Sequence, residues 1–292
     1  MSLLDLHSSE FLKGLKQLNL LSKHNFAGKK IGDRKTKYRG ASVEFKDYKE
    51  YNPGDDIRFI DWNLWGRLDR FYVKLFYSEE NLNVNFLLDA SQSMLYGAPS
   101  KWNFALKFIA GTSFLALHQK DYVNVYPAFA KLSNNMSNLD SPGNYSKLVS
   151  FLEKIEPSGE IDLTKSIDDF IKLERSRGMV FLVSDFLSDE KTIDHCLRKL
   201  AYYRHDVSLV QILSPQEENP EIYGNSILED VENKQEMELI LDDEYYLLYH
   251  ETLDEHKRMV KGLSKKYNLE YSYVCSDEDF KNFIIGLMRK RL

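Results

Sequence analysis

An aspartate and two serines stand at alternate positions in Asp89-Ala90-Ser91-Gln92-Ser93, directly after the apolar run Phe86-Leu87-Leu88. One carboxylate and two hydroxyls on one short loop make a hard, all-oxygen ligand set, the kind that suits Mg²⁺ or Mn²⁺. Such an ion keeps several waters and leaves a position for a ligand from another molecule. A later apolar run, Met179-Val180-Phe181-Leu182-Val183, ends in Ser184-Asp185 and offers a second carboxylate in the same kind of place. The bland alternative is a strand-to-helix turn, since Asp and Ser side chains readily bond nearby backbone amides. The spacing of Asp89, Ser91 and Ser93 leaves both readings open.

Other chemistries fit less well. Asp89 could be the nucleophile of a haloacid-dehalogenase-like aspartyl-phosphate phosphatase. That reaction wants a second aspartate two residues later as general acid, and position 91 is serine. Neither Ser91 nor Ser93 lies on a Gly-x-Ser-x-Gly elbow, which argues against a serine hydrolase. The histidines at 7, 24, 118, 195, 205, 250 and 256 show no ligand spacing. Residues 23–39 carry seven Lys and Arg between glycines, an arm that could bind a phosphate backbone or an acidic partner. Only Phe26 and Tyr38 are there for base stacking, and such runs are more often simply solvated. Asp55, Asp56, Arg58, Asp61, Arg67 and Arg70 mingle with Trp62 and Trp65 around the turn Asn52-Pro53-Gly54-Asp55; alternating signs read as a salt-bridged structural knot. Two Trp so placed argue against a plain surface loop.

The net charge of −6 speaks against bulk attraction to nucleic acid or anionic membrane. Only Cys196 and Cys275 are present, on separate expected elements, so neither a disulfide framework nor a zinc cluster is expected. No apolar stretch approaches transmembrane length and the N-terminal residues lack a signal-like pattern, so a cytoplasmic location without a membrane span is expected.

To bring Asp89 and Asp185 together, the chain must end neighbouring strands side by side. Leucines at 4, 12, 15, 18 and 21 suggest a helix, and residues 71–77 a strand or hairpin arm. From Asn81 onward strands and helices alternate: a strand ending at Asp89, a helix over 101–118, a strand over 122–129 and a loop over 133–145. A short helix over 145–155 follows, then a helix opened by Pro157–Thr164, a strand over 179–185 and a helix over 189–203. A strand over 207–213, short edge strands at 226–231 and 236–241, a Tyr-rich helix over 245–266, a strand over 269–275 and a final helix capped at Ser276 and Asp279 complete the pattern. The tyrosines at 245, 246 and 249 read as core or as a partner surface. This alternation predicts an α/β fold with a doubly wound, mostly parallel, Rossmann-like sheet over 81–292. Residues 1–80 are expected to form an N-terminal helical and β-rich extension that packs on or beside the main domain.

Asp89-x-Ser91-x-Ser93, the turn at Ser158-Gly159 and Val183-Ser184-Asp185 together resemble a von Willebrand factor A domain with its metal-ion-dependent adhesion site. Upstream, Glu44-Phe45, Tyr51-Asn52-Pro53-Gly54-Asp55-Asp56-Ile57-Arg58 and Ile60-Asp61-Trp62 resemble the signature of the bacterial domain-of-unknown-function 58 family, in which this block precedes the A domain. The resemblance covers about residue 39 to at least 213. It implies a protein-interaction module rather than an enzyme, in which Asp89, Ser91, Ser93 and Asp185 join a middle-loop threonine around Mg²⁺ and a partner's acidic side chain fills the open position. It further implies a MoxR-type AAA+ ATPase as partner, with a client protein whose assembly or maturation the pair serves. The chain departs from the pattern in the middle loop, where alignment on Asp162-Leu163 puts Ile161 at the threonine position. Isoleucine cannot ligate a metal, which leaves Thr164, Asp162 and Glu160 as candidate substitutes or the site as weakened. The partner is expected to dock over the Asp89 and Asp185 end of the sheet.

Overall fold

Runs such as Val180-Phe181-Leu182-Val183 lack polar alternation, as strands covered on both faces do. The computed structural model of the chain describes residues 6, 8, 11–17, 45–76, 81–129, 135–159, 161–174, 177–220, 224–229 and 236–290. In chain order its elements begin with helical residues 11–17 (α1), β1 (Phe45–Glu50), α2 (Trp62–Leu68) and β2 (Tyr72–Phe76). There follow β3 (Asn83–Asp89), α3 (Lys101–His118), β4 (Tyr122–Ala128), β5 (Met136–Leu139), α4 (Tyr145–Leu152), α5 (Leu163–Leu173) and β6 (Met179–Ser184). The chain continues through α6 (Glu190–Tyr202), β7 (Asp206–Leu213), α7 (Pro215–Glu218), β8 (Gly224–Glu229), β9 (Glu236–Leu241), α8 (Asp243–Lys266), β10 (Glu270–Cys275) and α9 (Phe280–Lys290).

The chain divides into two compact units, one of residues 1–24 with 82–292 and one of residues 25–81. In the larger unit six strands form one sheet in the order β10-β7-β6-β3-β4-β5, parallel throughout except for β5 against β4. This is the expected doubly wound, mostly parallel sheet. Side chains alternate across it as a strand period of two requires. Phe86 and Leu88 join the layer with α1, α3, α4 and α9, whereas Leu87 joins α5, α6 and α8 on the opposite face. Phe86 stacks on Phe181 with ring centroids 5.3 Å apart and meets Phe108 edge-on.

Several sequence-based expectations are corrected. Residues 11–17, within the expected 1–80 extension, group with the sheet unit: Leu15 is buried beside α3 and Phe11 meets Phe280 of α9. The expected loop over 133–145 contains strand β5. β8 and β9 pair with each other as a separate hairpin and not at the edge of the main sheet. At α9 the capping oxygen is Asp279 Oδ1, which accepts from Asn282 N–H, while the Ser276 hydroxyl donates to Pro99 O at 2.5 Å.

In the smaller unit β1 and β2 form an antiparallel hairpin. The expected ionic knot is present, with lysines joining it: Asp56 pairs with Arg58, Asp61 caps α2 through Asn63 and Leu64 N–H, accepts the Tyr48 hydroxyl and pairs with Lys74, and Asp55 pairs with Lys49. Bonding to Lys74 and then Tyr48 holds the Asp61 carboxyl down to about 2. Trp62 and Trp65 lie on α2 at 62% and 42% exposure, with Trp65 stacked on Phe71. Among the described residues no helix is long and apolar enough to cross a membrane. The basic arm at 23–39 lies outside the described residues.

Candidate functional site

β3 has β4 on one side and β6 on the other, and the chain leaves this central pair toward opposite layers. Ligands of open α/β sheets bind outside the carboxyl ends of the strands at such a switch point. Asp89 is the last residue of β3 and Asp185 follows the last residue of β6. The two carboxylates therefore lie at neighbouring strand ends, 3% and 4% exposed.

Side chains from the two strand ends converge there. The Ser91 and Ser93 hydroxyl oxygens are 2.9 Å apart, and the Ser93 hydroxyl donates to Asp185 Oδ2 at 3.2 Å. Asp89 Oδ1 accepts the Ser91 N–H at 2.9 Å and its Oδ2 accepts the Ser184 hydroxyl at 2.6 Å. With a serine two residues on from Asp89, the arrangement lacks the second aspartate of an aspartyl-phosphate phosphatase. Burial, and then the charge of Asp185, push the Asp89 carboxyl up to about 6, against the opposing bonds from Ser184 and Ser91. Asp185 Oδ1 accepts the Leu187 N–H at 3.2 Å, and its carbonyl accepts Gln211 Nε2 at 2.9 Å. The middle loop runs alongside: Gln92 N–H donates to Gly159 O and Ser158 N–H to Ala90 O, each at 3.0 Å.

Two of the expected candidates do not join the cluster. Asp162 is exposed and caps α5, accepting the Lys165 N–H at 2.9 Å. Thr164 lies inside α5, its hydroxyl 3.9 Å from Cys196 Sγ on α6. Ile161 packs against the apolar layer of α5, α6 and α8. Glu160 lies outside the described residues.

Sequence reasoning missed two charged members. Lys101, the first residue of α3, is fully buried, and its ammonium meets Asp185 Oδ2 at 2.7 Å and Glu217 Oε1 at 2.5 Å. Burial opposes its charge, but the Asp185 and Glu217 carboxylates outweigh burial and raise its pKa. The one available signal was a lysine opening a helix, where the dipole favours an acid. Phe186 adds backbone strain: it is buried at φ 57°, a conformation uncommon for a bulky residue and found preferentially at functional sites. Its N–H donates to Ser184 Oγ at 2.9 Å, while its carbonyl faces His256 Nε2 at 2.9 Å. Leu95, Tyr96 and Leu187, on the loops that carry the serines and Asp185, are 47%, 41% and 51% exposed.

The donor set fits a hard divalent cation. Hydroxyl and carboxylate oxygens are the donors such an ion takes, and here the Ser91 and Ser93 hydroxyls are hydrogen-bonded to each other. When Asp89, Asp185 and Glu217 are ionised, Lys101 balances one of three negative charges.

Similar proteins have been described. The uncharacterized protein Rv1480 of Mycobacterium tuberculosis is 25% identical over 249 residues, 82% of this chain and 76% of its own length. The uncharacterized protein Mb1516 of Mycobacterium bovis matches to the same extent, 25% over 249 residues. The conserved hypothetical protein BatB from Bacteroides thetaiotaomicron is 16% identical with a TM-score of 0.46, over 72% of this chain and 100% of that one. The SpRpn10 VWA domain is 11% identical with a TM-score of 0.38, over 71% of this chain and 95% of that one. The family model described as "Protein of unknown function DUF58" matches residues 47–258, most of the chain, and this protein belongs to that family.

Proposed function

We propose that this protein is a non-enzymatic protein-interaction module whose ligand surface is the carboxyl end of the sheet. The fold and the family suggest interaction in general; the finer reading is that Asp89, Ser91, Ser93 and Asp185 hold Mg²⁺ or Mn²⁺. When bound, the cation would supply an open coordination position for a partner's carboxylate. The observation that carries the reading is the meeting of two hydroxyls and two carboxylates from β3 and β6 at the switch point, with more negative charge than Lys101 balances. The exposed Leu95, Tyr96 and Leu187 give that end apolar surface to bury, and the strained Phe186 is consistent with a functional edge.

By resemblance, the partner is a MoxR-type AAA+ ATPase, acting with this module on a client protein during assembly or maturation. A cytoplasmic setting goes with this reading, and Cys196 and Cys275 are both free thiols, as a reducing compartment keeps them. The test is calorimetric titration of Mg²⁺ and Mn²⁺ into chelator-treated protein, with Asp89→Ala as control. Saturable binding that the variant loses is expected; a folded protein that binds neither ion would refute the metal reading.

A further inference from the structure

Lys101 stands where helix physics disfavours it, since a cation at a helix N-terminus opposes the dipole and a buried ammonium forfeits its hydration. Its two partners explain its retention. Asp185 Oδ2, 2.7 Å from the ammonium, is the same oxygen that accepts the Ser93 hydroxyl. The oxygen through which Asp185 faces the serines is therefore the one that Lys101 holds. Glu217 is fixed independently: its Oε2 accepts the Ser214 N–H at 2.7 Å and the Ser214 hydroxyl at 2.9 Å, closing the capping box of α7. Its Oε1 remains with the ammonium at 2.5 Å. The lysine thus keeps one carboxylate partner even if Asp185 turns elsewhere. Gly97, at φ 97°, lets the loop before α3 lie against Ser214, where a Cβ would stand 2.3 Å from the serine Cβ. That close approach keeps the α3 start and the α7 start together.

We propose that Lys101 is a built-in counter-ion of the adhesion site, competing with the divalent cation for Asp185 Oδ2. This inference rests on the metal reading of the site. An ammonium on that oxygen cancels part of the negative charge that attracts a cation, and repels a second cation at short range through a poorly screening interior. Occupancy by a divalent ion and pairing of Lys101 with Asp185 are alternatives. Lys101 retreats onto Glu217 when the ion enters.

The experiment is Mg²⁺ titration by calorimetry, with melting curves in chelator and in Mg²⁺, on the full chain. Lys101→Met is expected to bind Mg²⁺ at least about tenfold more tightly than the parent, as removal of an adjacent like charge requires. Its melting temperature, lowered in chelator, recovers with Mg²⁺ as the ion replaces the missing charge, whereas Lys101→Arg keeps the parent affinity. Should Lys101→Met not fold, Lys101→Met/Glu217→Gln deletes one charge of each sign and frees Asp185 Oδ2, and a smaller tightening in the same direction is expected. Equal Mg²⁺ affinity in the parent and these variants, all abolished by Asp89→Asn, would overturn the competition and leave the metal site standing. If no protein in the series shows binding that depends on Asp89, the competition and the metal reading both fall.

Discussion

Asp89 shows how burial and charge act on one side chain. In the unfolded chain its carboxyl titrates near 3.8, and in the fold burial and Asp185 raise it to about 6. Between those values the native state holds the proton more tightly, so this group's contribution to stability is greatest at low pH and declines as pH rises from about 4 to about 6. Asp89→Asn, followed by urea unfolding at several pH values in chelator, is expected to remove that slope; an unchanged slope would assign it to another group. At this scale Asp89, Ser91, Ser93 and Asp185 were legible because their spacing after apolar runs fixes where they emerge. Lys101 was not, since its role depends on Glu217, 116 residues further along.

At the scale of elements, the long apolar runs declared themselves and the short polar ones did not. β5 is Met-Ser-Asn-Leu, which reads as loop because its pairing with β4 comes from a buried network that sequence does not announce. Asn124 on β4 donates to Asn85 Oδ1 on β3 at 2.8 Å and accepts the Asn138 N–H of β5 at 2.7 Å. Asn124→Ala leaves the buried Asn85 oxygen without this donor, at a cost of about 1–3 kcal/mol. Faster amide hydrogen exchange across 136–139 is expected, with β6 and β7 unaffected; protection equal to the parent would mean that the network does not hold the edge strand. The failure of Thr164 as a ligand has a similar origin. Asp162 is the cap of α5, so by Thr164 the chain has already turned into the helix and its hydroxyl faces α6.

For the whole molecule, the order of the chain misleads about its organisation. Residues 25–81 form their own unit, yet α1, which precedes them, belongs to the sheet unit that follows. The sequence gives α1 its leucines but not their destination, because that destination is built by α3 and α9 much later in the chain. Gly111 of α3 leaves the room: a Cβ there would stand 2.2 Å from Phe280 Cζ and 3.2 Å from Leu15 Cδ2. Leu6 and Leu15 are 0% and 1% exposed, and the Tyr145 hydroxyl donates to Leu6 O at 3.4 Å. Truncating a buried leucine to alanine typically costs about 2–5 kcal/mol, through lost transfer energy and the cavity left behind. Leu15→Ala is therefore expected to lower the guanidinium midpoint by that much stability. Leu247→Ala, at a position 69% exposed on α8, is expected to stay within about 0.5 kcal/mol of the parent. A fragment of residues 82–292, which lacks both leucines, should unfold at lower denaturant than Leu15→Ala. If instead Leu15→Ala unfolds with the parent, α1 contributes no core and the sheet unit begins where its first strand does.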